Sequence, residues 1–287
     1  MSKADRTMTD SPTANAPNAV NEPSAAYRGF LRAERRGRIL VRAAQLGLLV
    51  AFLIAWEFAP RYGWVNPMFT SYPSAMWPTF VELLHASANQ PGLMEHTAAT
   101  VLATVVGFSA AMVLGVIVAS ALWWWQRLYL VLDPFLVVAN AMPKIAFVPI
   151  FYIWLGATLS IYGMALAISV FITILMVHAG FEGVDPNKVK LAQTFGASRW
   201  QVLHMVVLPG SVPTLIATLK VNTGLALVGV VVGEFQSASL GLGYLIQYGS
   251  QIFKLNIVMT AITLLAMLSA LMYLAIAWLE RRVMARR

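Results

Sequence analysis

Two lysines of this sequence lie within long apolar stretches, where a charged side chain is costly. A charge at the centre of a membrane helix costs roughly 2.5–3.5 kcal/mol on insertion scales, so Lys144 and Lys220 are expected to face protein or a water-filled cavity. Asp133, Asn140 and Lys144 are spaced seven and four residues apart, which places them on one face of a continuous helix. The ammonium and amide groups of this polar seam could attract an anionic substrate.

Each lysine also has a purely structural interpretation. Lys144 could pair with a carboxylate, or it could donate to backbone carbonyls that the neighbouring prolines leave without an N–H partner. Lys220 could extend along its helix and place its ammonium at the membrane surface, which is called snorkelling. The sequence alone leaves these alternatives open.

Other residue types that often carry chemistry show no functional pattern. There are 4 histidines and no cysteine, and the histidines have neither metal-ligand spacing nor an HExxH arrangement. They are expected at the membrane interface or in solvent. No nucleophile stands beside a base, so an intramembrane enzyme is disfavoured. The histidines are His85, His96, His178 and His204.

The composition is that of a membrane protein. The 287 residues are 59% hydrophobic and 11% charged, and the mean hydropathy is +0.70. A chain of this size has more apolar surface than a water-facing fold could bury, so lipid must be the solvent for much of it. The net charge of +8 does not indicate nucleic-acid binding, because the basic residues flank the apolar stretches.

We predict an all-α fold with six transmembrane helices. Residues 1–38 are expected to form a disordered, basic tail, and residues 39–287 a single membrane domain. Spans are predicted near residues 41–60, 96–127, 211–233 and 256–279, with two more in residues 128–180 around a hairpin at 156–158. Pro134, Pro143 and Pro149 predict an interrupted third span. Small-residue spacings at Gly107–Gly115 and Ala217–Gly224 predict close helix packing.

The distribution of basic residues predicts the orientation. Six spans place both termini on the same side. Of the 20 lysines and arginines, only Arg61 and Lys254 fall on the opposite side, while Lys144 and Lys220 fall within spans. The positive-inside rule therefore predicts cytoplasmic termini.

A polar island at residues 185–209 interrupts the apolar stretches on that cytoplasmic side. Asp185 followed by Pro186 predicts a helix start, Gly196 a break, and Ser198 a second helix that ends at Pro209. Apolar side chains at Leu191, Phe195 and Trp200 stand among polar residues, as expected of a docking site for another protein. Alternatively, the island could be an amphipathic helix that lies on lipid headgroups.

The island resembles the cytoplasmic "EAA" loop of binding-protein-dependent ABC importer permeases. In that family Glu-Ala-Ala is followed after three residues by Gly and, nine residues later, by Ile-x-Leu-Pro. Here Ala192, Gly196, Leu208 and Pro209 occupy matching positions. At the remaining positions of the first triplet, Lys190 and Leu191 replace the acidic residue and the first alanine.

Further stretches resemble the nitrate, sulfonate and taurine permeases of this family. They are Tyr72-Pro73-Ser74-Ala75, Met142-Pro143-Lys144-Ile145-Ala146 and Gly241-Leu242-Gly243-Tyr244-Leu245-Ile246. The resemblance implies a type I importer permease, likewise all-α, in a bacterial inner membrane. It implies that residues 181–209 contain a coupling helix for separate ABC ATPase subunits, with Arg199 among the coupling residues.

The same resemblance implies the partners and the cargo. They are two ATPase subunits, a periplasmic or surface binding protein, a second permease copy and membrane lipid, with a small anion as substrate. The sequence contains no G-x-x-x-x-G-K-[ST] phosphate loop, so we expect this chain to bind no cofactor and the partner ATPase to bind ATP and Mg²⁺.

The Gly-rich connection at residues 234–254 is a candidate for an external gate. Gly241 and Gly243 predict a tight turn beside Glu234, and the connection could insert partly as a hairpin. The alternative class is a self-sufficient secondary transporter or channel. Inverted repeats would favour that class, but the two halves show no convincing symmetry.

Overall fold

The computed structural model describes residues 25–66, 70–85, 91–237 and 239–285. Within these residues the chain is helical and has no strand, which confirms the predicted all-α class. The elements are α1 (Ala25–Arg61), α2 (Pro73–Leu84), α3 (Leu93–Trp124), α4 (Gln126–Ala141), a 3₁₀ turn (Lys144–Phe147), α5 (Val148–Glu182), α6 (Pro186–Thr194), α7 (Arg199–Val202), a π turn (Leu203–Val207), α8 (Leu208–Gly210), α9 (Val212–Ser237), α10 (Leu242–Gln251) and α11 (Leu255–Met284).

Helix α1 begins well before the predicted first span. It includes residues 25–38 of the predicted tail, and residues 1–24 of that tail lie outside the described residues. The helix is continuous because its only proline, Pro60, lies in the last turn. The described chain divides into two units between Trp56 and Glu57, inside α1 and not at residue 38.

Five helices of the described residues are long and apolar enough to cross a membrane, one fewer than predicted. The predicted span that is absent from these five is the third one. It is not one continuous helix, so it does not qualify as a separate long apolar helix. Helix α4 ends at Ala141 because Met142 precedes Pro143 and adopts an extended backbone, with φ −63° and ψ 142°. The predicted interruption is therefore confirmed, and the third segment consists of α4, the 3₁₀ turn and the first part of α5.

The predicted hairpin at residues 156–158 is also confirmed. Gly156 has φ +76° and ψ 177°, which breaks α5 into two helical parts. The segments before and after this residue run antiparallel, since the ring of Tyr129 stacks on His178 at 3.7 Å between centroids. Nearer the turn, Nζ of Lys144 lies 5.6 Å from the centroid of the Phe171 ring.

Helices α3, α5 and α9 form the core of the unit that begins at Glu57. A Cβ at Gly107 would lie 2.5 Å from the Cβ of Ala165, and one at Gly229 would lie 2.6 Å from its Cα. Small residues thus allow the three backbones to approach closely, as predicted for Gly107. The prediction for Gly224 is wrong within the described chain, because a Cβ there would meet no atom within 4 Å.

The described part of the connection at residues 234–254 contains the end of α9 and a further helix, α10, instead of the hairpin that was considered. Helix α10 buries Leu242, Leu245 and Gly249. These residues face α11, where a Cβ at Gly249 would lie 2.9 Å from the side chain of Val258. The spacing of the apolar residues gives α10 one buried face, so this helix packs on the bundle.

Candidate functional site

The polar island begins with a capped helix. The side chain of Asp185 accepts a hydrogen bond from the backbone N–H of Asn187 at 2.9 Å, and Pro186 occupies the first helical position. The carboxylate satisfies a backbone N–H that has no partner within the helix, and the proline ring already has the φ of the first turn. Helix α6 therefore starts where the sequence predicts.

Gly196 separates the two helices of the island, with φ +79°. Its N–H donates to the carbonyl of Gln193 at 2.9 Å, and the N–H of Ala197 donates to the carbonyl of Ala192 at 3.0 Å. A Cβ at position 196 would meet no atom within 4 Å, so the glycine is needed for its left-handed backbone and not for space.

The second helix of the island starts at a capping box. Oγ of Ser198 accepts from the N–H of Gln201 at 3.3 Å, and Oε1 of Gln201 accepts from the N–H of Ser198 at 2.7 Å. Helical structure then continues to Gly210, one residue beyond the predicted end at Pro209. Pro209 has no N–H to donate to the preceding turn, and the wider π turn lies directly before α8.

The inner face of the island belongs to the hydrophobic core. Ala192 and Leu208, two of the predicted coupling residues, pack against a buried cluster that includes Phe181 of α5. Arg199 holds the island to α3, because its Nη1 donates to the carbonyl of Trp124 at 3.1 Å. The inner face of the island is thus fixed to the bundle. The three predicted coupling residues on this face contact the core or the end of α3.

The outer face of the island exposes large apolar side chains. Leu191 is 59% exposed, Phe195 82% and Trp200 63%. Lys190 lies beside them and is exposed as well. We call these four residues the docking surface. Exposed apolar side chains on a well-packed support are the usual composition of a protein-binding site, as the sequence predicts.

A buried carboxylate connects three helices at the end of α9 that is remote from the island. Glu234 is 2% exposed. Its Oε1 accepts from the hydroxyl of Thr100 in α3 at 2.8 Å, and its Oε2 accepts from the N–H of Gly243 in α10 at 2.7 Å. The Thr100 hydroxyl also accepts from the N–H of Leu242 at 2.8 Å. The start of α10 is therefore bonded to both α3 and α9.

Gly241 also belongs to this arrangement. We call Glu234 and the residues bonded around it the Glu234 cluster; they are His96, Thr100, Gly241, Leu242 and Gly243. Gly241 has φ +126°, and its N–H donates to Nδ1 of His96 at 3.0 Å. A Cβ at Gly241 would overlap the carboxyl group of Glu234, and one at Gly243 would lie 2.8 Å from the Glu234 Cβ. The structure thus brings Glu234, Gly241 and Gly243 together, while their role as an external gate stays a prediction.

The predicted polar seam is divided by the end of α4. Asp133 and Asn140 lie on α4, but Lys144 follows the break at Pro143 and starts the 3₁₀ turn. The prediction of one shared helix face is therefore wrong for Lys144, because helical spacing holds only along a continuous helix. Nζ of Lys144 donates to the backbone carbonyl of Asn140 at 2.7 Å. Of the alternatives considered for Lys144, capping of a carbonyl beside a proline is the one observed.

Lys220 joins two helices. Its Nζ lies 2.6 Å from Oε2 of Glu280, and the two side chains are 26% and 34% exposed. The ion pair is compatible with snorkelling toward this end of the bundle, and the place of Lys220 in a transport path stays a prediction. Lys220 lies early in α9 and Glu280 late in α11, so the pair fixes these helices at the end of the bundle that adjoins the island.

We expect the Lys220–Glu280 pair to contribute measurably to stability. Lys220→Met and Glu280→Gln should each lower the midpoint of thermal unfolding in lipid nanodiscs, because each leaves an unpaired, partly buried partner. The double variant should recover much of the loss, with a coupling energy of roughly 0.5–3 kcal/mol. Strictly additive losses in the double variant would show that the two side chains do not stabilise each other.

Several residues of these sites could not be identified from the sequence. Thr100 and His96 reach the Glu234 cluster from α3, far away in the chain. His96 and His178 are 3% and 1% exposed, so the expectation of interfacial or solvated histidines is wrong for both. Another missed pair is Asn222 and Thr173, whose side chains are hydrogen-bonded in the core between α9 and α5.

The stretch Tyr72-Pro73-Ser74-Ala75 marks the start of α2. The N–H of Ser74 donates to Oε2 of Glu57 at 3.0 Å, and its hydroxyl donates to Oε1 at 2.7 Å. Arg61 also contacts this carboxylate, at 2.5 Å, and donates to the Ser74 hydroxyl at 2.7 Å. The other resembling stretches begin at the α4 break and at the start of α10. All three therefore lie where a helix begins or is interrupted.

The long apolar helices, the interrupted third segment and the packed polar loop together define a multi-pass membrane permease. The family of binding-protein-dependent transport system inner membrane components matches residues 111–285. The chain belongs to this family, the permease subunits of ABC importers, and specifically to the nitrate, sulfonate and taurine type. It is thus a transport protein of the inner membrane and not an enzyme.

Individual relatives agree with this assignment. The chain is 27% identical over 244 residues to the taurine transport system permease protein of Escherichia coli (strain K12), covering 83% of this chain and 87% of the relative. It is 32% identical over 237 residues to a probable ABC transporter permease protein of Haemophilus influenzae, covering 80% and 92%. A chain of the inward-facing MetNI methionine ABC transporter has a TM-score of 0.60 at 19% identity, covering 67% and 95%, which confirms the type I permease fold.

Proposed function

We propose that this chain forms, with a second copy, the translocation path of an ATP-driven importer for a small anion such as a sulfonate, taurine, nitrate or a related organic acid. The observation that carries the proposal is the docking surface, where Phe195 and Trp200 are exposed on a loop that is fixed to the core. An exposed apolar surface on a rigid support is suited to receive force from another subunit.

The residues on the two faces of the island suggest which subunit binds ATP and which one moves the substrate. An ABC ATPase is proposed to contact the docking surface, and ATP and Mg²⁺ are proposed to bind that subunit and not this chain. Closure of the ATPase dimer would push on the island, and the contacts of Ala192, Leu208 and Arg199 with the bundle would pass the movement to α3 and α5. A binding protein is proposed to deliver the substrate at the opposite end.

The proposed orientation has the island and both termini in the cytoplasm. It is supported by the positive charge of the segments that flank the island side of the helices. In this orientation the Glu234 cluster lies at the external end of the bundle, where a gate or the binding-protein contact would be needed. The lipid contacts of such a permease would be made by its exposed apolar helix faces.

The substrate class is proposed from the type of permease and from the name of a relative, which transports taurine. The translocation path is proposed to include the seam residues Asp133, Asn140 and Lys144. They are partly exposed on this chain, so a second copy could line the other side of the path. Lys220 is also proposed to lie at the path, where its ammonium is held by Glu280.

Lys144→Met should test the contribution of this cation to transport. We expect the apparent affinity for an anionic substrate to fall several-fold, because Lys144 is the one cation of the seam. The measurement is the initial rate of uptake into proteoliposomes at a series of substrate concentrations. Arg36→Met, which removes an exposed cation of α1 outside the island and the seam, is the control. Unchanged uptake kinetics in Lys144→Met would exclude this lysine from the path.

Reconstitution decides between an ABC importer and the alternative class. The purified chain should support no uptake by itself and should support ATP-dependent uptake when its ATPase and binding protein are added. Substrate flux by the chain alone, driven by an ion gradient, would instead identify a secondary transporter. Flux down the substrate gradient without ATP would identify a channel.

A further inference from the structure

A polar cavity of about 870 Å³ opens at the end of the unit that is remote from the island. Its wall comes mainly from α2, the start of α3, helix α10, the turn after α10 and the start of α11, and includes Glu82, His96, Tyr244, Tyr248, Lys254 and Asn256. A cavity of several hundred cubic ångströms is large enough for a small organic molecule. None of the candidate site residues identified from the sequence lines it.

One wall of the cavity is a stack of aromatic rings. The rings of His96 and Tyr244 are 5.8 Å apart between centroids with 9° between their planes, and those of Tyr244 and Tyr248 are 6.0 Å apart with 18°. The stack is held in place because the Glu234 cluster fixes the first turn of α10. Faces of such rings attract ammonium groups.

A second wall offers hydrogen-bond donors and a positive charge. Lys254 lies in the turn after α10, and its N–H donates to the carbonyl of Gly249 at 2.9 Å. Oδ1 of Asn256 accepts from the hydroxyl of Ser71 at 2.8 Å, so its Nδ2 is the part of the amide left to donate. Lys254 and Asn256 are thus a suitable pair of donors for an acidic group.

The turn that presents Lys254 has an unusual backbone. Phe253 has φ +57° and is the only non-glycine residue with positive φ in the described part of the chain. It ends α10 in the position that glycine normally occupies, and its ring is 78% exposed beside the cavity. Retaining a bulky residue in this conformation is the kind of strain that often accompanies a binding site.

The third wall carries a carboxylate. Glu82 lies on α2 and is exposed to the cavity. In the residues that the structure describes, neither Glu82 nor Lys254 has an ion-pair partner within 4.0 Å, so the two charges are not neutralised by each other. A ligand with a single negative charge would be attracted by one wall and repelled by the other.

We infer that this cavity binds a small zwitterion, a molecule that carries both an acidic and an ammonium group. The acidic group contacts Lys254 and Asn256. The ammonium group contacts Glu82 and the faces of Tyr244 and Tyr248. As a step in transport the inference rests on the proposed function and narrows its substrate class, but binding itself requires only this chain.

Ligand binding to the full-length chain in lipid nanodiscs tests the inference without an ATPase. The probes are taurine, which is a zwitterion, ethanesulfonate, which has only the acidic group, and ethylammonium, which has only the cation. Saturation-transfer NMR should detect taurine binding at least tenfold tighter than either single-charge probe. Lys254→Gln and Glu82→Gln should each weaken taurine binding about tenfold or more, because each removes one charge of the pair.

Gln251→Ala is the matched control, at an exposed position of α10 that is not part of the cavity wall. It should bind taurine like the unmodified chain, and the thermal midpoints of all three variants should be unchanged. Ethanesulfonate binding as tight as that of taurine, with no effect of Glu82→Gln, would overturn the zwitterion assignment. Taurine binding that is absent, or equal in all variants, would overturn the site.

An uptake assay separates this inference from the proposed function. Taurine binding that needs Lys254 and Glu82, without ATP-dependent uptake in the presence of the ATPase and the binding protein, would support the cavity and refute the importer. ATP-dependent uptake that is unaffected by Lys254→Gln and Glu82→Gln would support the importer and refute a role of the cavity in transport.

Discussion

The double variant Phe195→Ala/Trp200→Ala is expected to lose stable association with its ATPase partner. Both side chains are mostly exposed, so their truncation should remove contacts with the partner and leave the core intact. Buried aromatic anchors at protein interfaces typically contribute about 2 kcal/mol or more each, which corresponds to roughly 30-fold in Kd per residue. The measurements are co-purification with the ATPase and the dissociation constant of the complex between the ATPase and the permease in nanodiscs.

Met205→Ala is the matched control for this prediction. Met205 is 70% exposed and lies in the same island, but it is not part of the docking surface. It should retain ATPase binding within a few-fold of the unmodified chain, and all variants should insert into the membrane and unfold at similar temperatures. Normal ATPase binding by the double variant would mean that another surface receives the ATPase.

The island was the most predictable part of the chain because its structure depends on local interactions. Asp185 and Ser198 accept hydrogen bonds from N–H groups two or three residues away, so their effects can be read from the sequence. Gly196 adopts the positive φ expected at the end of a helix. What could not be predicted is that Ala192 and Leu208, two of the predicted coupling residues, would pack inward against the core.

The third membrane segment shows where helical spacing fails to predict which residues share a face. The prolines indicated an interruption, and the structure contains one at Pro143. Yet the spacing of Asn140 and Lys144 was interpreted as if the helix were continuous, although the break lies between them. The direction of the Lys144 side chain depends on a carbonyl that becomes available only because the helix ends there.

Pairings between distant segments were not predictable. Lys220 and Glu280 are 60 residues apart, and Thr100 and Glu234 are 134 apart. Nothing in one sequence states which side chains of different helices will face each other. The sequence could indicate that a charge in an apolar stretch needs compensation. It could not indicate which residue provides it.

Glu234→Ala is expected to cause the largest loss of stability among single substitutions in the part of the bundle that is remote from the island. The Glu234 side chain accepts two hydrogen bonds, and a typical hydrogen bond contributes about 0.5–1.5 kcal/mol while a buried group left without a partner costs about 1–3 kcal/mol. Alanine would also leave the buried N–H of Gly243 without a partner. The thermal midpoint in nanodiscs should therefore fall by roughly 10 °C, because about 1 kcal/mol corresponds to 2–4 °C in a protein of this size.

Two further variants show whether the hydrogen bonds of Glu234 are responsible. Glu234→Gln keeps an acceptor for Gly243 and a polar group for Thr100, so its midpoint should fall by less than half as much. Gln236→Ala, at an exposed position on the same helix, should change the midpoint little. Equal losses for Glu234→Gln and Glu234→Ala would show that the negative charge itself is required. Little loss for either would mean that packing, and not the carboxylate, fixes the start of α10 to α3 and α9.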